Sequence, residues 1–274
     1  MIRSMYSGVS GMKGFQTKLD VIGNNIANVN TVGFKAGRVM FSDILSQTVT
    51  GVTASVDGES GGINAKQIGL GVSVSAIDTI HTPGSAMTTN VPTDMRIDGD
   101  GFFAVAPGGD VENVYLTRAG NFTMDGNRQL VTAEGYFVLD SGGGVIQLDD
   151  TVTAFTIAKD GTIIAVNEDG TSEATDFQIG VVKVTNPSGL EKIGGNMYRV
   201  TPNALPEGEE IEFLAANDPE LGTGAIISGQ LEMSNVDLTS EFTEMIVAQR
   251  GFQANSRIIT TSDEVLQEVV NLKR

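Results

Sequence analysis

The stretch GNNIANVNTVGFK, from Gly23 to Lys35, combines an apolar repeat with residues that weaken helices. Leu19, Ile22 and Ile26 recur through this part of the chain at spacings of three and four, which predicts one apolar face of a helix. The asparagines and the glycine around them are mediocre or poor helix formers. Such residues allow hydrogen bonds and close backbone approach when a helix packs against several neighbours. The alternative is a helix end that frays into asparagine turns.

The composition indicates a folded protein with few means of catalysis. The chain has 274 residues, of which 40% are apolar, so it can bury a core. It contains no cysteine, which excludes disulfides, thiolate metal sites and a cysteine nucleophile. Its single histidine is His81. Asp94, Asp98 and Asp100 lie close together but do not match a calcium-binding loop, and we assign them to hairpin turns. We therefore predict no enzyme activity, no catalytic residue, no metal site and no cofactor.

Charge is distributed unevenly along the chain. Residues 1–38 carry five basic groups and one acidic group, whereas residues 39–236 carry eight basic and 27 acidic groups. The acidic middle argues against binding of nucleic acid. No run approaches the ~18 apolar residues that span a bilayer, so we expect no membrane insertion. The N-terminus lacks the apolar core of a cleaved signal peptide.

The N-terminal segment predicts a long helix that ends near Gly33. Proline is absent from it, as a long helix requires. Its apolar residues follow a heptad-like repeat with one slip near Met12. The predicted packing positions, including asparagines on the same helix, are Met5, Val9, Met12, Leu19, Ile22, Asn24, Asn25, Ile26 and Asn28.

The C-terminal segment predicts a second long helix. Asp237 is the expected N-cap, because its carboxylate can accept hydrogen bonds from the first-turn amides. Apolar residues then recur every seven positions without a break. The predicted packing positions on this helix are Leu238, Phe242, Met245, Gln249, Phe252, Ile259 and Leu266.

Between the helices the pattern changes to that of β-strands. Phe177, Ile179 and Val181 alternate with other residues, which predicts a strand. Asp-Gly pairs are a strong signal for tight turns, and six begin at Asp57, Asp98, Asp100, Asp125, Asp160 and Asp169. Short strands with such turns indicate an antiparallel sandwich or barrel.

The sequence therefore predicts an α+β fold, with long N- and C-terminal helices paired in a coiled-coil-like inner domain and a central antiparallel all-β domain. The predicted boundaries are residues 1–33 for the N-terminal helix, 34–70 for an extended connector, 71–233 for the β domain and 234–274 for the C-terminal helix. A pair of helices cannot bury all of their apolar surface, so we expect other copies of the chain to cover the remainder. A head-to-tail contact that does not close gives a filament.

Several segments closely resemble the bacterial flagellar hook and rod proteins. At the two ends they are SMYSGVSGM (Ser4–Met12), LDVIGNNIANVNTVGFK (Leu19–Lys35) and SNVDLTSEFTEMIVAQRGFQANSRIITTSDEVLQEVVNLKR (Ser234–Arg274). In the middle, IDGDGFFAV (Ile97–Val105) and YLTRAGNF (Tyr115–Phe122) look like the β domain of the same family. The resemblance thus covers effectively the whole chain.

The resemblance implies an axial flagellar protein that polymerises into a helical hollow tube. The paired terminal helices would line its channel, and the β domain would form the outer layer. The implied location is an extracellular appendage, the hook or basal body of the bacterial flagellum, reached through the flagellar type III export apparatus without a cleaved signal peptide. The implied partners are copies of the same chain, the distal rod protein, the hook cap and the hook–filament junction proteins.

Within this family the sequence features divide between two members. The ending VNLKR and the segment MIVAQRGFQ look most like a hook protein, which transmits motor torque to the filament. A length with room for one β domain is closer to a distal rod protein. We favour the hook, with the distal rod as the alternative. A surface adhesin or carbohydrate-binding module is an alternative of another class, since its β domain would look similar.

Overall fold

A computed structural model describes residues 2–53, 61–109, 113–150, 152–167, 171–206 and 211–272. The chain divides into two compact units, each discontinuous in sequence. The helical unit comprises residues 1–27, 37–79 and 237–274, and the β unit comprises residues 28–36 and 80–236. The combination of long terminal helices with a central antiparallel β region confirms the predicted α+β class.

Two helices dominate the helical unit, α1 (Ile2–Ala27) and α2 (Leu238–Leu272). The start of α2 is as predicted, because the backbone N–H of Thr239 donates to Asp237 Oδ1 at 2.9 Å and makes Asp237 the N-cap. α1 ends before the predicted stop at Gly33, since turn residues follow it directly. No helix in the described part of the chain is long and apolar enough to cross a membrane.

Strands occupy much of the region that the sequence predicted to be an extended connector. They are β1 (Gly37–Asp43), β2 (Ser46–Thr50), β3 (Lys66–Gly69) and β4 (Val72–Thr79). β1 pairs antiparallel with β4, and β2 pairs antiparallel with β3. The β1–β4 ribbon packs on α1, where the ring centroids of Phe15 and Phe41 lie 5.9 Å apart. A two-stranded ribbon needs such a partner to be stable, and composition alone did not reveal it.

The β unit contains the remaining strands of the described residues. In chain order they are β5 (Ala86–Thr88), β6 (Met95–Asp98), β7 (Phe102–Ala106), β8 (Tyr115–Thr117), β9 (Thr123–Met124), β10 (Leu130–Val131), β11 (Phe137–Val138), β12 (Val152–Ile157), β13 (Thr162–Asn167), β14 (Ser172–Gln178), β15 (Val181–Val182), β16 (Glu191–Gly194), β17 (Met197–Arg199), β18 (Ala225–Ser228) and β19 (Gln230–Glu232).

The largest sheet of the β unit has the strand order β16-β17-β8-β7-β11-β10-β9, with β15 paired to β7. A second sheet has the order β12-β13-β14, while β18 pairs with β6 and β19 pairs with β5. The central strand β7 is buried along its whole length. Its side chains alternate between two clusters: Phe103 and Val105 belong to one, and Phe102 and Ala104 belong to the other. This alternation places β7 between two apolar layers.

The predicted strand through Phe177, Ile179 and Val181 is interrupted in the structure. β14 ends at Gln178 and β15 begins at Val181. The chain changes its pairing partner between them, because β14 pairs with β13, Ile179 forms an isolated bridge to Asp140, and β15 pairs with β7. The predicted Asp-Gly turns that begin at Asp57 and Asp169 lie outside the described residues.

Candidate functional site

The face of α1 that meets α2 is built from small and polar residues as well as apolar ones. We call this contact the helix seam. Its positions on α1 are spaced three and four residues apart and comprise Gly8, Gly11, Phe15, Lys18, Ile22 and Asn25. A Cβ at Gly8 would lie 3.5 Å from Cγ1 of Ile259, and one at Gly11 would lie 2.9 Å from Nδ2 of Asn255. The helices therefore approach most closely where α1 lacks side chains.

A reciprocal notch lies on α2 at Gly251. A Cβ there would lie only 2.5 Å from Cζ of Phe15, so the ring of Phe15 fills space that glycine leaves open. Ala248, one turn away, is fully buried. Farther along the seam Lys18 forms an ion pair with Glu244. The seam thus combines a ring in a glycine notch with an exposed charge pair, and the order of these contacts makes the two helices antiparallel.

Asn25 accounts for part of the asparagine-rich sequence. Its side chain is 1% exposed, donates from Nδ2 to the carbonyl of Gly37 at 2.9 Å and accepts at Oδ1 from the N–H of Gly37 at 2.9 Å. The same Nδ2 lies 3.1 Å from Glu241 Oε1 on α2. Burial raises the pKa of Glu241, and the hydrogen bond from Asn25 opposes that rise. One amide therefore joins α1, β1 and α2.

The structure brings some of the predicted packing residues into the seam and leaves others beside it. Ile22 and Asn25 are buried. The half-buried residues are Met5, Met12, Leu19, Ile26, Asn28, Met245, Ile259 and Leu266. The exposed ones are Val9, Asn24, Leu238, Phe242, Gln249 and Phe252. Their role in polymerisation stays a prediction.

The predicted stripe on α1 is offset by one residue from the observed seam along much of the helix. Gly8, Gly11 and Lys18 meet α2 at positions where the apolar pattern pointed to Val9, Met12 and Leu19. The reason is that glycine permits the closest approach of two helix backbones, and Lys18 has a partner in Glu244. The glycines at positions 8 and 11 were the available signal in the sequence, whereas Gly14 faces Phe41 of β1.

Apolar side chains on α2 also point away from the seam. Phe242 is 50% exposed and Ile246 is 58% exposed, one turn apart near the start of the helix. A second exposed series runs along the other side and comprises Val247, Ile258, Val265 and Val269. We call these the early flank and the late flank of α2. No described residue of the chain buries either flank.

Replacing Gly251 by valine is expected to weaken the helix seam by roughly 1–3 kcal/mol, because the new side chain would displace the ring of Phe15 from its notch. The measurement is thermal loss of helical circular dichroism in the free chain. Gly23→Val is the matched control, since nothing lies within 4 Å of a Cβ at Gly23. Equal melting temperatures for Gly251→Val and Gly23→Val would contradict the packing of Phe15 against Gly251.

The β unit holds the short segment Asn28–Ala36 through a buried charge cluster, which we call the anchor. Lys35 Nζ donates to Glu232 and, at 2.8 Å, to the carbonyl of Thr82. Arg118 lies 3.4 Å from the other carboxylate oxygen of Glu232 and donates to the carbonyl of Gly99 at 2.9 Å. The side chains of Lys35 and Glu232 are 0% and 1% exposed. Sequence reasoning missed the anchor, because it placed Lys35 in a connector.

Burial lowers the pKa of Lys35, and the facing Glu232 carboxylate opposes that effect. Burial likewise lowers the pKa of Arg118, and the Glu232 carboxylate opposes that effect. The anchor has two cations for one carboxylate. Glu232 also accepts from the backbone N–H of Gly84 at 3.0 Å, so its oxygens are well occupied.

His81 lies near the anchor, with its ring centroid 5.7 Å from that of Phe102 and 5.5 Å from that of Tyr198. Burial lowers its pKa to about 4, and the neighbouring Lys35, Lys192 and Arg118 act in the same direction. His81 is therefore neutral at pH 7 in the folded chain.

The pKa of His81 predicts a pH dependence of folding. Because the unfolded imidazole takes up a proton near pH 6.5 and the folded one near pH 4, the free energy of unfolding should fall as the pH drops through this window. Allowing for partial exposure, we expect a loss of about 1–2 kcal/mol. Urea unfolding at pH 7 and pH 4 should show this loss in the native chain and a smaller one in His81→Gln. A titration of the folded imidazole near pH 6.5 by NMR would contradict it.

Comparison with known proteins connects these features to a family. The model described as Flagella basal body rod protein matches residues 5–35, the Flagellar hook protein FlgE/F/G D1 domain matches residues 96–165, and the Flagellar basal body rod FlgEFG protein C-terminal matches residues 227–272. The flagellar basal-body rod protein FlgG of Bacillus subtilis (strain 168) is 54% identical over 275 residues, with 100% of both chains covered. The chain belongs to the flagellar rod and hook protein family.

Two further relatives separate the branches of the flagellar rod and hook protein family. The basal-body rod protein FlgG of Borreliella burgdorferi is 36% identical over 277 residues, with 100% of both chains covered. The hook protein FlgE of the same organism is 28% identical over an alignment of 452 residues, which exceeds the length of this chain. These relatives favour the distal-rod alternative over the hook that the sequence analysis favoured. Membership makes the chain a structural component of the flagellum.

Proposed function

We propose that this protein is a structural subunit of the distal rod, which polymerises with copies of itself into a helical tube. The main support for the proposal is the pair of exposed apolar flanks on α2. Exposed apolar surface of this kind marks an interaction site, and the described residues of one chain do not bury it. Copies of the same chain are the simplest source of further helices. When such copies associate head to tail and the arrangement does not close into a ring, they form a helical filament.

The full-length likeness to rod proteins supports the distal rod rather than the hook. The adhesin alternative receives no comparable support, because two long helices with uncovered apolar sides are of no use to a monomeric binding module. Export through the type III apparatus and contact with hook proteins follow from the proposal. The hook cap and the hook–filament junction proteins belong to the hook interpretation.

Electron microscopy of basal bodies from cells that lack this gene tests the proposal. The expected result is an incomplete rod, restored when the gene is supplied again. A complete rod without a hook would overturn the distal-rod assignment in favour of the hook. Complete flagella on cells that lack the gene would overturn both the distal-rod and the hook assignment.

A further inference from the structure

The segment Asn28–Ala36 is bound by the β unit like a separate peptide. It belongs to the β unit, yet residues 37–79, which connect it to the rest of that unit, belong to the helical unit. Residues 33–36 are each buried. The segment is therefore held in the β unit by non-covalent contacts and not by short chain connections.

Backbone hydrogen bonds align the segment in its groove. The N–H of Gly33 donates to the carbonyl of Glu232 at 2.8 Å, and the N–H of Ile80 donates to the carbonyl of Ala36 at 2.8 Å. The N–H of Ala36 donates to Asn235 Oδ1 at 2.8 Å. Hydrogen bonds to the peptide backbone hold the segment without regard to its side chains.

Side chains then make the groove selective. Lys35 donates to Glu232 and to the carbonyl of Thr82 within the anchor. The ring of Phe34 lies under the ammonium group of Lys192, which is 5.0 Å from the ring centroid. The groove therefore recognises an aromatic residue followed by a cation.

Gly33 fixes the third feature of the recognised sequence. Its φ is +70°, and a Cβ there would lie 2.5 Å from the backbone nitrogen of Ala119. Any larger residue would be strained and would collide with backbone that cannot move aside. Together these contacts define the sequence glycine, aromatic, lysine as the one that fits.

We propose that this groove is a peptide-binding site that accepts the Asn28–Ala36 segment of a second copy of the chain as well as its own. A groove occupied through non-covalent contacts makes the same contacts with an identical segment from another copy, which is the condition for domain swapping. The partner is a second copy, and the recognised element is its segment with Gly33, Phe34 and Lys35. Exchange between copies would join neighbours through their β units, in addition to any contact between helices.

A labelled synthetic peptide with the sequence of residues 28–37 tests the binding site. The full-length chain with Gly33→Val cannot seat its own segment, so its groove is expected to bind the peptide saturably in a fluorescence anisotropy assay. A peptide with methionine in place of Lys35 should bind at least about tenfold more weakly, because it loses the ammonium group that donates to Glu232 and to the carbonyl of Thr82. The native chain should bind little peptide, since its groove is filled.

Gly33→Val could also disturb the packing of the β unit, and a second measurement detects this. The tyrosine signal in near-ultraviolet circular dichroism reports its packing, and added peptide should then restore that signal. A peptide that neither binds nor restores the signal overturns the proposal. No polymer takes part in this assay, so its result is independent of the distal-rod assignment.

Exchange between copies has its own measurement. The Gly33→Val chain has a groove without a usable segment, and a Glu232→Gln chain has a usable segment without an intact groove. Below the concentration at which the native chain polymerises, an equimolar mixture is expected to form a dimer by light scattering, whereas each variant alone stays monomeric. A mixture that stays monomeric, despite peptide binding, would overturn the exchange.

Discussion

Glu232→Gln is expected to destabilise the β unit by about 3–5 kcal/mol, the usual effect of removing one partner from a buried ion pair. Glu232 is the carboxylate that faces Lys35 and Arg118 in the anchor, and all three side chains are almost fully buried. Glutamine keeps the shape but removes the carboxylate charge that both buried cations contact. Urea unfolding followed by tyrosine circular dichroism measures the change in the free energy of unfolding.

Glu191→Gln is the matched control for this experiment. Glu191 pairs with Arg199 at 2.5 Å, but both side chains are more than half exposed. An exposed pair contributes roughly 0–1 kcal/mol, so the same substitution should have little effect there. Adding Lys35→Met to Glu232→Gln should recover part of the lost stability, because it removes one uncompensated cation. Equal effects of Glu232→Gln and Glu191→Gln would mean that the anchor is not closed to water.

The sequence predicted the two helices and their general pairing, because proline-free heptad patterns are strong signals over long segments. It did not predict the seam on α1. An apolar pattern directs attention to Val9 and Met12, whereas Gly8 and Gly11 make the closest approach to α2. Glycine has a low helix propensity and no apolar side chain. Its role in packing can therefore be recognised only from the position of the partner helix.

The anchor could not be predicted from local patterns, because its members lie far apart in sequence. Lysine is almost never fully buried unless it is paired, and the sequence analysis placed Lys35 in a connector, where no pairing partner was evident. Lys35 and Arg118 both pair with Glu232, and nothing in the local sequence around any of the three identifies the others. Long-range charge pairing of this kind depends on the folded topology.

The asparagine-rich stretch was partly understood from the sequence. The expectation that amides would bond to several neighbours is met by Asn25, which contacts both Gly37 and Glu241. The alternative, a helix that ends in asparagine turns, is also realised, because α1 ends at Ala27. Both interpretations apply, because Asn25 lies only two residues before the end of α1.

Replacing Phe242 and Ile246 together by serine is expected to abolish assembly at concentrations where the native chain polymerises. Both side chains lie on the early flank of α2, outside the helix seam. If a neighbouring copy buries them, each contributes about 1.5–3 kcal/mol. Their loss would raise the critical concentration for polymerisation by roughly 10²–10⁴-fold, since about 1.4 kcal/mol corresponds to a factor of ten. Sedimentation of the polymer from the free chain measures this concentration.

The free chain should be almost unaffected by that double substitution, and this separates assembly from folding. Removing exposed apolar side chains takes no contact from the seam, so the helical circular dichroism of the free chain should stay close to native. Gln253→Ser with Gln267→Ser is the control on the same helix, because both glutamines are exposed and offer little apolar surface to bury. It should assemble at nearly the native concentration. Normal assembly of the Phe242 and Ile246 variant would show that copies do not meet along the early flank, and the late flank of α2 would then have to carry the contact.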